Sequence, residues 1–592
     1  MASFFKTFLA ALLAIFVFIM LGVLIVMGLA SSGEKTFKAE DNSVLHLTFE
    51  NEITDRHYEN RLDIDFSTFQ PIQKDGLNFI LTQIKKAQVD PKVSGIFMDV
   101  KSPMAGLATM QEIRDALVEF KSSGKWIVSY SDFYTQGGYY LASVADEIYM
   151  EPEGMLEFKG LRSNVMFMKG LLDKVGVDVQ VIRPKNNRFK SAVEPFLLDS
   201  MSTSNEEQLD KILSSIWDHI AYDIAKSRNM TEEEVNLAAA ELLSRNAKSA
   251  QEGGLIDGVK YRDEVMAELM SKTRVELEED LELVTLRQYS QSNVEEFTDL
   301  EKLYAKDKIA VIYGIGEIGM GKGNTESIGS DGLAELISEA RKDSSVKAIV
   351  LRVNSPGGSA LASDVIWREM TLAKETKPVL VSMGDVAASG GYYIACNADK
   401  IFASEMTITG SIGVFGMIPN TKELDEQILG LKYDGVKTHK YADIMDIHRP
   451  LRADESGVWQ EMVDHIYDDF TGKVAQGRSV EQRYVDSIGQ GRIWSGVDAL
   501  DNHLVDAYGG LDETIAEAAS MAGLEKFKVQ NYPEEVDPLE QILKDLTGQA
   551  KVDPLASLSE MDMKLYRMVK QYQELVEMRG VQMRMPYVLE IY

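Results

Sequence analysis

The 592-residue sequence predicts an α/β chain made by tandem duplication, with two copies of one domain following a single N-terminal transmembrane helix. Three features lead to that reading. The stretch "SDFYTQGGYYLASVADEIY" returns 253 residues later as "GDVAASGGYYIACNADKIF", short apolar runs alternate with helical patterns inside each copy, and 23 uncharged residues stand near the N-terminus.

The N-terminal element comes first. Residues 8–30, "FLAALLAIFVFIMLGVLIVMGLA", carry no charge and match the length of a helix crossing a hydrocarbon core about 30 Å thick. A cleaved signal peptide is the rival reading. Its apolar region usually runs about 7 to 15 residues, and no small-x-small cleavage site follows a short core here. Lys6 is the only charged side chain before the span, which points to a cytoplasmic N-terminus with the bulk of the chain across the membrane.

The duplication is read next. Residues 93–150 align with 346–403 without a gap, and 18 of the 58 positions are identical. Solenoid units repeat every 20–50 residues or so, so a spacing this long means two copies of a domain. The match continues loosely upstream, where "SVLHLTFENEI" (43–53) parallels "KIAVIYGIGEI" (308–318), with about a dozen extra residues near 56–69 in the first copy. The polar, acidic stretch 288–307 is the expected boundary. The division is then an anchor at 1–33, a first repeat at 34–300 and a second at 301–592.

Within the second copy, "KAIVLRV" reads as a strand, "NSPGGS" as a loop, "ALASDVIWREMTLAKE" as a helix and "PVLVSMGD" as the next strand. A Ser-Gly-Gly turn then opens the helix "YYIACNA" before the strand "DKIFA". This order implies parallel strands with right-handed crossovers, and loops that carry chemistry gather at the carboxyl ends of such strands.

Composition narrows the function. Sixty-two Lys and Arg against 93 Asp and Glu leave a net charge of −31, a surface that repels phosphate backbones, so no nucleic-acid partner is expected. The single cysteine, Cys396, cannot form an intrachain disulfide. No His-x-x-x-His or paired-Cys pattern is present, so neither a metal nor another cofactor is expected.

Ser389 lies at a strand-to-helix turn ahead of two glycines, a setting that presents a hydroxyl beside backbone N–H groups at a helix N-terminus. A plain N-cap serine is the alternative. Gly357 and Gly358 in "NSPGGS" supply the freedom that amides need to converge on a substrate oxygen, although an ordinary glycine turn has the same composition. The first copy has Met104 and Ala105 in place of those glycines and Gln136 in place of Ser389, while Ser102, Pro103, Gly137, Gly138, Tyr139 and Tyr140 persist. Nucleophile and glycine loop are missing together, which suggests that they served one task. The base is not evident from pattern alone. None of the seven histidines lies in a local motif around Ser389, and a lysine would need desolvation to lose its proton.

Four motifs together, "SMGDVAASGGYYIACNADKI", "RVNSPGGS", "TITGSIGVFG" and "RFKSAVEPFLLDSM", resemble the signal peptide peptidase A (protease IV) family in its long, duplicated form. The resemblance covers nearly the whole chain. It implies tandem Clp protease/crotonase-like domains and a Ser/Lys dyad, with Ser389 as nucleophile, Lys190 as general base, Gly358 and Gly390 as oxyanion donors, and Ser411 orienting the lysine amine. It further implies a membrane-anchored serine endopeptidase acting on short apolar peptides such as remnant signal peptides. The expected setting is the cell inner membrane, single-pass, with the catalytic domains on the periplasmic side in a homotetramer. In the second copy, "THKYADIMD" offers no clear equivalent of Lys190, the register there being ambiguous, and Lys440 is the nearest candidate. The C-terminal "MDMKLYRMVKQYQELVEMRG" sets Leu565, Met568, Tyr572 and Leu575 on one face of an amphipathic helix. Two other classes stay open at this stage, a crotonase-like acyl-CoA enzyme and a noncatalytic membrane scaffold.

Overall fold

The computed structural model describes residues 37–56, 63–65, 70–72, 74–295, 297, 305–534 and 581–585. The apolar span 8–30 and the amphipathic stretch 561–580 lie outside these residues. Among the described residues, no helix is long and apolar enough to cross a membrane.

Each copy is organised around a mostly parallel sheet. The first runs in the order Gly258–Val259, Glu147–Leu156, Trp126–Tyr134, Val93–Met98, Ser43–Leu47, Leu283–Thr285. The second repeats that order with Ala507–Tyr508, Lys400–Ala403, Val379–Ala388, Val346–Ser355, Lys308–Ile315 and Lys528–Tyr532, and Ile408–Gly410 and Ile493–Ser495 extend it beside Val379–Ala388. The strands and helices expected in the second copy are present, with the helix at Ala360–Lys374 and the short one at Gly390–Ala395, but the expected loop "NSPGGS" is mostly strand, since Asn354 and Ser355 end Val346–Ser355 and Gly357–Ser359 pairs in another sheet. Alternation explains why these strands bury both faces. Ile349, Leu351 and Val353 enter one apolar cluster, while Ala348 and Val350 enter another against the helix Leu511–Met521.

Equivalent elements track the duplication closely. Helices Leu77–Val89 and Leu107–Lys121 recur at Ser330–Lys342 and Ala360–Lys374, again 253 residues on. The long helices Thr203–Arg228 and Ala453–Arg478 begin 453 − 203 = 250 residues apart. The persistent tyrosines have the same task in both copies. Tyr139 donates its hydroxyl hydrogen to the carbonyl of Leu255 at 2.7 Å and Tyr392 donates to that of Leu504 at 2.8 Å, each satisfying a buried polar group.

Two features tie the copies together. A third sheet threads both, in the order Gly323–Asn324, Ser327–Gly329, Glu317–Gly319, Gly357–Ser359, Val581–Arg584, Phe415–Asn420, Asp178–Ile182, so that a strand of the first copy closes a sheet of the second. Between the copies lies a buried ionic cluster. Arg352 Nε is 2.7 Å from Asp55 Oδ1 and its Nη2 is 2.6 Å from Glu112 Oε1, with the guanidinium wholly buried. These two carboxylates keep the guanidinium firmly charged despite its desolvation.

Candidate active site

Ser389 follows the carboxyl end of strand Val379–Ala388, and Ser411 follows that of the neighbouring strand Ile408–Gly410. Both hold positive φ, 56° and 50°, in a region that L-residues rarely occupy, and both are wholly buried. Neighbouring backbone holds these turns in place. Ser389 N–H donates to the carbonyl of Gly410 at 2.9 Å, and Ser411 N–H donates to that of Arg492 at 2.7 Å. Strain maintained by its surroundings is a hallmark of reactive turns, where it lifts a hydroxyl clear of its own helix.

The corresponding turn in the first copy is relaxed. Thr135 caps its helix conventionally, accepting from Gly138 N–H with φ of −68°, and Gln136 is simply the first helical residue. The Gln136 Oε1 is occupied by the N–H groups of Lys159 and Gly160, both at 3.1 Å. Met104, where the second copy has Gly357, turns an exposed side chain outward. Loss of the serine therefore coincides with loss of the bend that would display it.

Lys190 reaches Ser389 from the first copy. Its Nζ lies 2.8 Å from Ser389 Oγ, 2.9 Å from Ser411 Oγ and 3.1 Å from the Ser411 carbonyl oxygen. The side chain is 1% exposed, and burial pushes the amine well below its ordinary pKa. Desolvation is the cause of that shift, and among the described residues no carboxylate lies near enough to favour the charged form. A neutral amine has two N–H donors and one lone pair. Nζ therefore has three polar neighbours, Ser389 Oγ, Ser411 Oγ and the Ser411 carbonyl oxygen, one for each of its hydrogen-bonding positions.

The lysine is positioned by both copies. Phe189 N–H donates to the carbonyl of Gln490 at 2.9 Å, while Gln208, on the long helix Thr203–Arg228, donates to the carbonyl of Phe189 at 3.1 Å and to Ser191 Oγ at 2.9 Å. Gly491 lies flat against the lysine stem. A Cβ there would stand 2.4 Å from Lys190 Cβ, and its φ of 82° already favours glycine. Gly491→Ala is expected to displace the amine and lower kcat at least about tenfold in a peptide-hydrolysis assay, because small misplacements of reacting groups are costly. Gly435→Ala, made where no atom lies within 4 Å of the new Cβ, serves as the control with unchanged kcat.

Lys440, the nearest second-copy candidate, lies 440 − 190 = 250 residues on, the offset at which the long helices also begin. It is a surface residue. Its side chain is 63% exposed and pairs with Asp454 at 2.6 Å, a contact that raises rather than lowers its pKa.

The glycine loop stands beside the serine. Gly357 and Gly358 have φ of 97° and 155°, and a Cβ on Gly357 would fall 2.6 Å from Gly390 N, so the two predicted glycine elements are in contact. Among the described residues no histidine hydrogen-bonds Ser389: His219 meets Gln111 at 2.9 Å, and His448 meets Asp425 at 2.8 Å. Gln208, Gln490 and Gly491 escaped sequence reasoning because they support the lysine's segment through contacts distant in the chain that leave no local motif. The strand Val581–Arg584, against the glycine loop, was also missed, since four residues beyond an amphipathic pattern give no signal of their pairing.

Comparison with known proteins bears on this arrangement. The model of "Peptidase family S49" matches residues 119–276 and 371–525, and that of "Clp protease" matches 301–416. Protease 4 of Haemophilus influenzae is 36% identical over 460 residues, covering 75% of this chain and 72% of the relative. Protease 4 of Salmonella typhi is 35% identical, covering 81% and 77%, and the chloroplastic serine protease SPPA of Arabidopsis thaliana is 34% identical, covering 82% and 70%. The fold and these relatives define a serine peptidase of Clp-protease-like α/β architecture. The chain belongs to peptidase family S49 and carries its domain twice.

Proposed function

We propose that this peptidase acts through a Ser389/Lys190 dyad assembled from its two repeats, the first supplying the base and the second the nucleophile. The observation that carries the reading is the 2.8 Å approach of a buried amine, without a counterion among the described residues, to a hydroxyl on a strained turn. The Ser389 hydroxyl attacks a peptide carbonyl carbon while its proton passes to Lys190 Nζ. Amides of Gly358 and Gly390 hold the developing oxyanion, and Ser411 orients the amine through the contacts at 2.9 and 3.1 Å. The protonated amine then protonates the departing nitrogen, and water, deprotonated by the same lysine, releases the acyl group from Ser389.

The substrates in this reading are short apolar peptides, remnant signal peptides among them. Residues 8–30 anchor the chain in the inner membrane with both repeats on the periplasmic side, and the working particle is a homotetramer. An active-site-directed fluorophosphonate probe tests the dyad. Wild type and Lys440→Ala should label, while Ser389→Ala and Lys190→Ala should not. Equal labelling of all four would sink it.

A further inference from the structure

Strands Val346–Ser355 and Val379–Ala388 lead into the glycine loop and into Ser389, and the ladder between them breaks just before either element. Val353 pairs with Met383 and Ser355 with Ala387, so on this side Asn354 alone faces Gly384, Asp385 and Val386. Bulges beside active sites re-aim the residues that follow them.

The Asn354 side chain fills this bulge. Its Oδ1 accepts from Val386 N–H at 3.2 Å, and its Nδ2 donates to Asp55 Oδ2 at 2.7 Å and faces Asp385 Oδ2 at 3.4 Å. Gly384 lies flat against it, for a Cβ there would stand 3.1 Å from the Asn354 amide nitrogen. Asp385 is fixed in turn by Thr109, whose N–H and hydroxyl donate to its two carboxylate oxygens at 2.9 and 2.7 Å. Asp55 and Thr109 belong to the first repeat. A carboxylate accepts and a backbone N–H donates, so the side chain that bridges them needs the donor and the acceptor that an amide carries.

The first copy supplies a comparison within the chain. Lys101 and Asp132 stand at the positions of Asn354 and Asp385, 253 residues earlier, and form an ion pair at 2.8 Å with both side chains more than half exposed. A surface pair thus replaces the bridge in the copy whose turn is relaxed and whose glycine loop is lost.

Resting on the dyad reading, we propose that Asn354 is a positioning residue for the oxyanion hole, and that the first repeat sets the shape of that hole through Asp55 and Thr109. The first repeat then contributes twice to one reaction, with Lys190 as base and with the two groups that hold the spacing of Gly358 and Gly390. Asn354 acts through these strands rather than on the substrate. Its effect therefore falls on the charge developing at the carbonyl oxygen, while peptide binding and proton transfer to Lys190 keep their wild-type character.

Asn354→Leu keeps the size of the side chain and removes its hydrogen bonds. In the full chain it should lower kcat for a short apolar reporter about 10²-fold, with KM within about threefold of wild type and the midpoint of the kcat/KM pH profile unmoved. A peptide aldehyde, which forms a tetrahedral adduct on Ser389, should lose affinity by the same factor as kcat/KM. Affinity for the uncleaved reporter, read on a Ser389→Ala background, should stay within about threefold. Thr109→Val reads the same link from the first repeat and should lower kcat about fivefold, while Thr109→Ser, which keeps the hydroxyl, should match wild type. Lys101→Met, at the matching place in the first copy, is the control with kcat within about twofold of wild type. Wild-type kcat in either Asn354→Leu or Thr109→Val, a shifted pH midpoint, or equal losses of aldehyde and uncleaved-peptide affinity would overturn the proposal while probe labelling of Ser389 keeps the dyad. Labelling that survives Lys190→Ala, together with the selective loss of aldehyde affinity, would remove the dyad and keep the role of Asn354.

Discussion

The Lys190→Met variant should fold and hydrolyse a short apolar reporter about 10²–10⁴-fold more slowly than wild type, the range over which a general base contributes. Methionine has nearly the length of lysine and suits a fully buried site, so the loss falls on chemistry rather than packing. The pH profile of wild-type kcat/KM carries the same information. With the amine pulled below 10.5 by desolvation, activity rises with pH as Nζ loses its proton, and the midpoint lies well under that of a solvated lysine. A midpoint that stays in place when Lys190 is replaced would assign the titration to another group.

Stability should follow the same titration. The folded-state pKa of Lys190 is lower than the unfolded one, so between the two values the unfolded chain binds the extra proton. Stability therefore increases with pH across that window and is lost on acidification through it. Lys190→Met should remove this slope. Thermal midpoints of wild type and variant measured at several pH values above neutrality provide the check, with the two converging near the unfolded pKa.

Arg352→Met should be the most destabilising single substitution between the repeats. It would leave Asp55 and Glu112, 4% and 8% exposed, as buried carboxylates without their cation. Breaking such an arrangement from one side costs about 3–5 kcal/mol, which corresponds to roughly 10 °C in thermal midpoint for a domain of this size. Activity should fall with it, because the cluster holds together the repeats that separately carry Lys190 and Ser389. Adding Asp55→Asn and Glu112→Gln removes the stranded charges and should recover part of the lost midpoint by calorimetry. No recovery would mean that Arg352 acts through its bonds to Ser382 Oγ at 2.8 Å and the Met383 carbonyl at 3.2 Å instead.

Much of the fold could be read from local pattern. Strand Val379–Ala388 is announced by its apolar run and helix Ala360–Lys374 by its spacing, and the internal repeat says that both recur. Such features depend on neighbours a few residues apart, where periodicity and turn chemistry act. The positions of Ser389 and the glycine loop at strand ends follow from the same logic. Lys190 was different. A single lysine carries no pattern of its own, and only resemblance to a family singled it out.

The proposed dyad joins residues that stand far apart in sequence, 199 positions between amine and hydroxyl. Local preferences specify which segments become strands, helices and tight turns, and they separate the glycine-rich second copy from the Met104, Ala105 and Gln136 of the first. They cannot specify that Lys190 loses its water while Lys440 keeps it, because desolvation is set by everything packed around a side chain. The same holds for Arg352 between two carboxylates of the other copy, and for Val581–Arg584 between two strands. Burial and strand pairing across the duplication are properties of the assembled chain, and they turn an ordinary lysine into a candidate base.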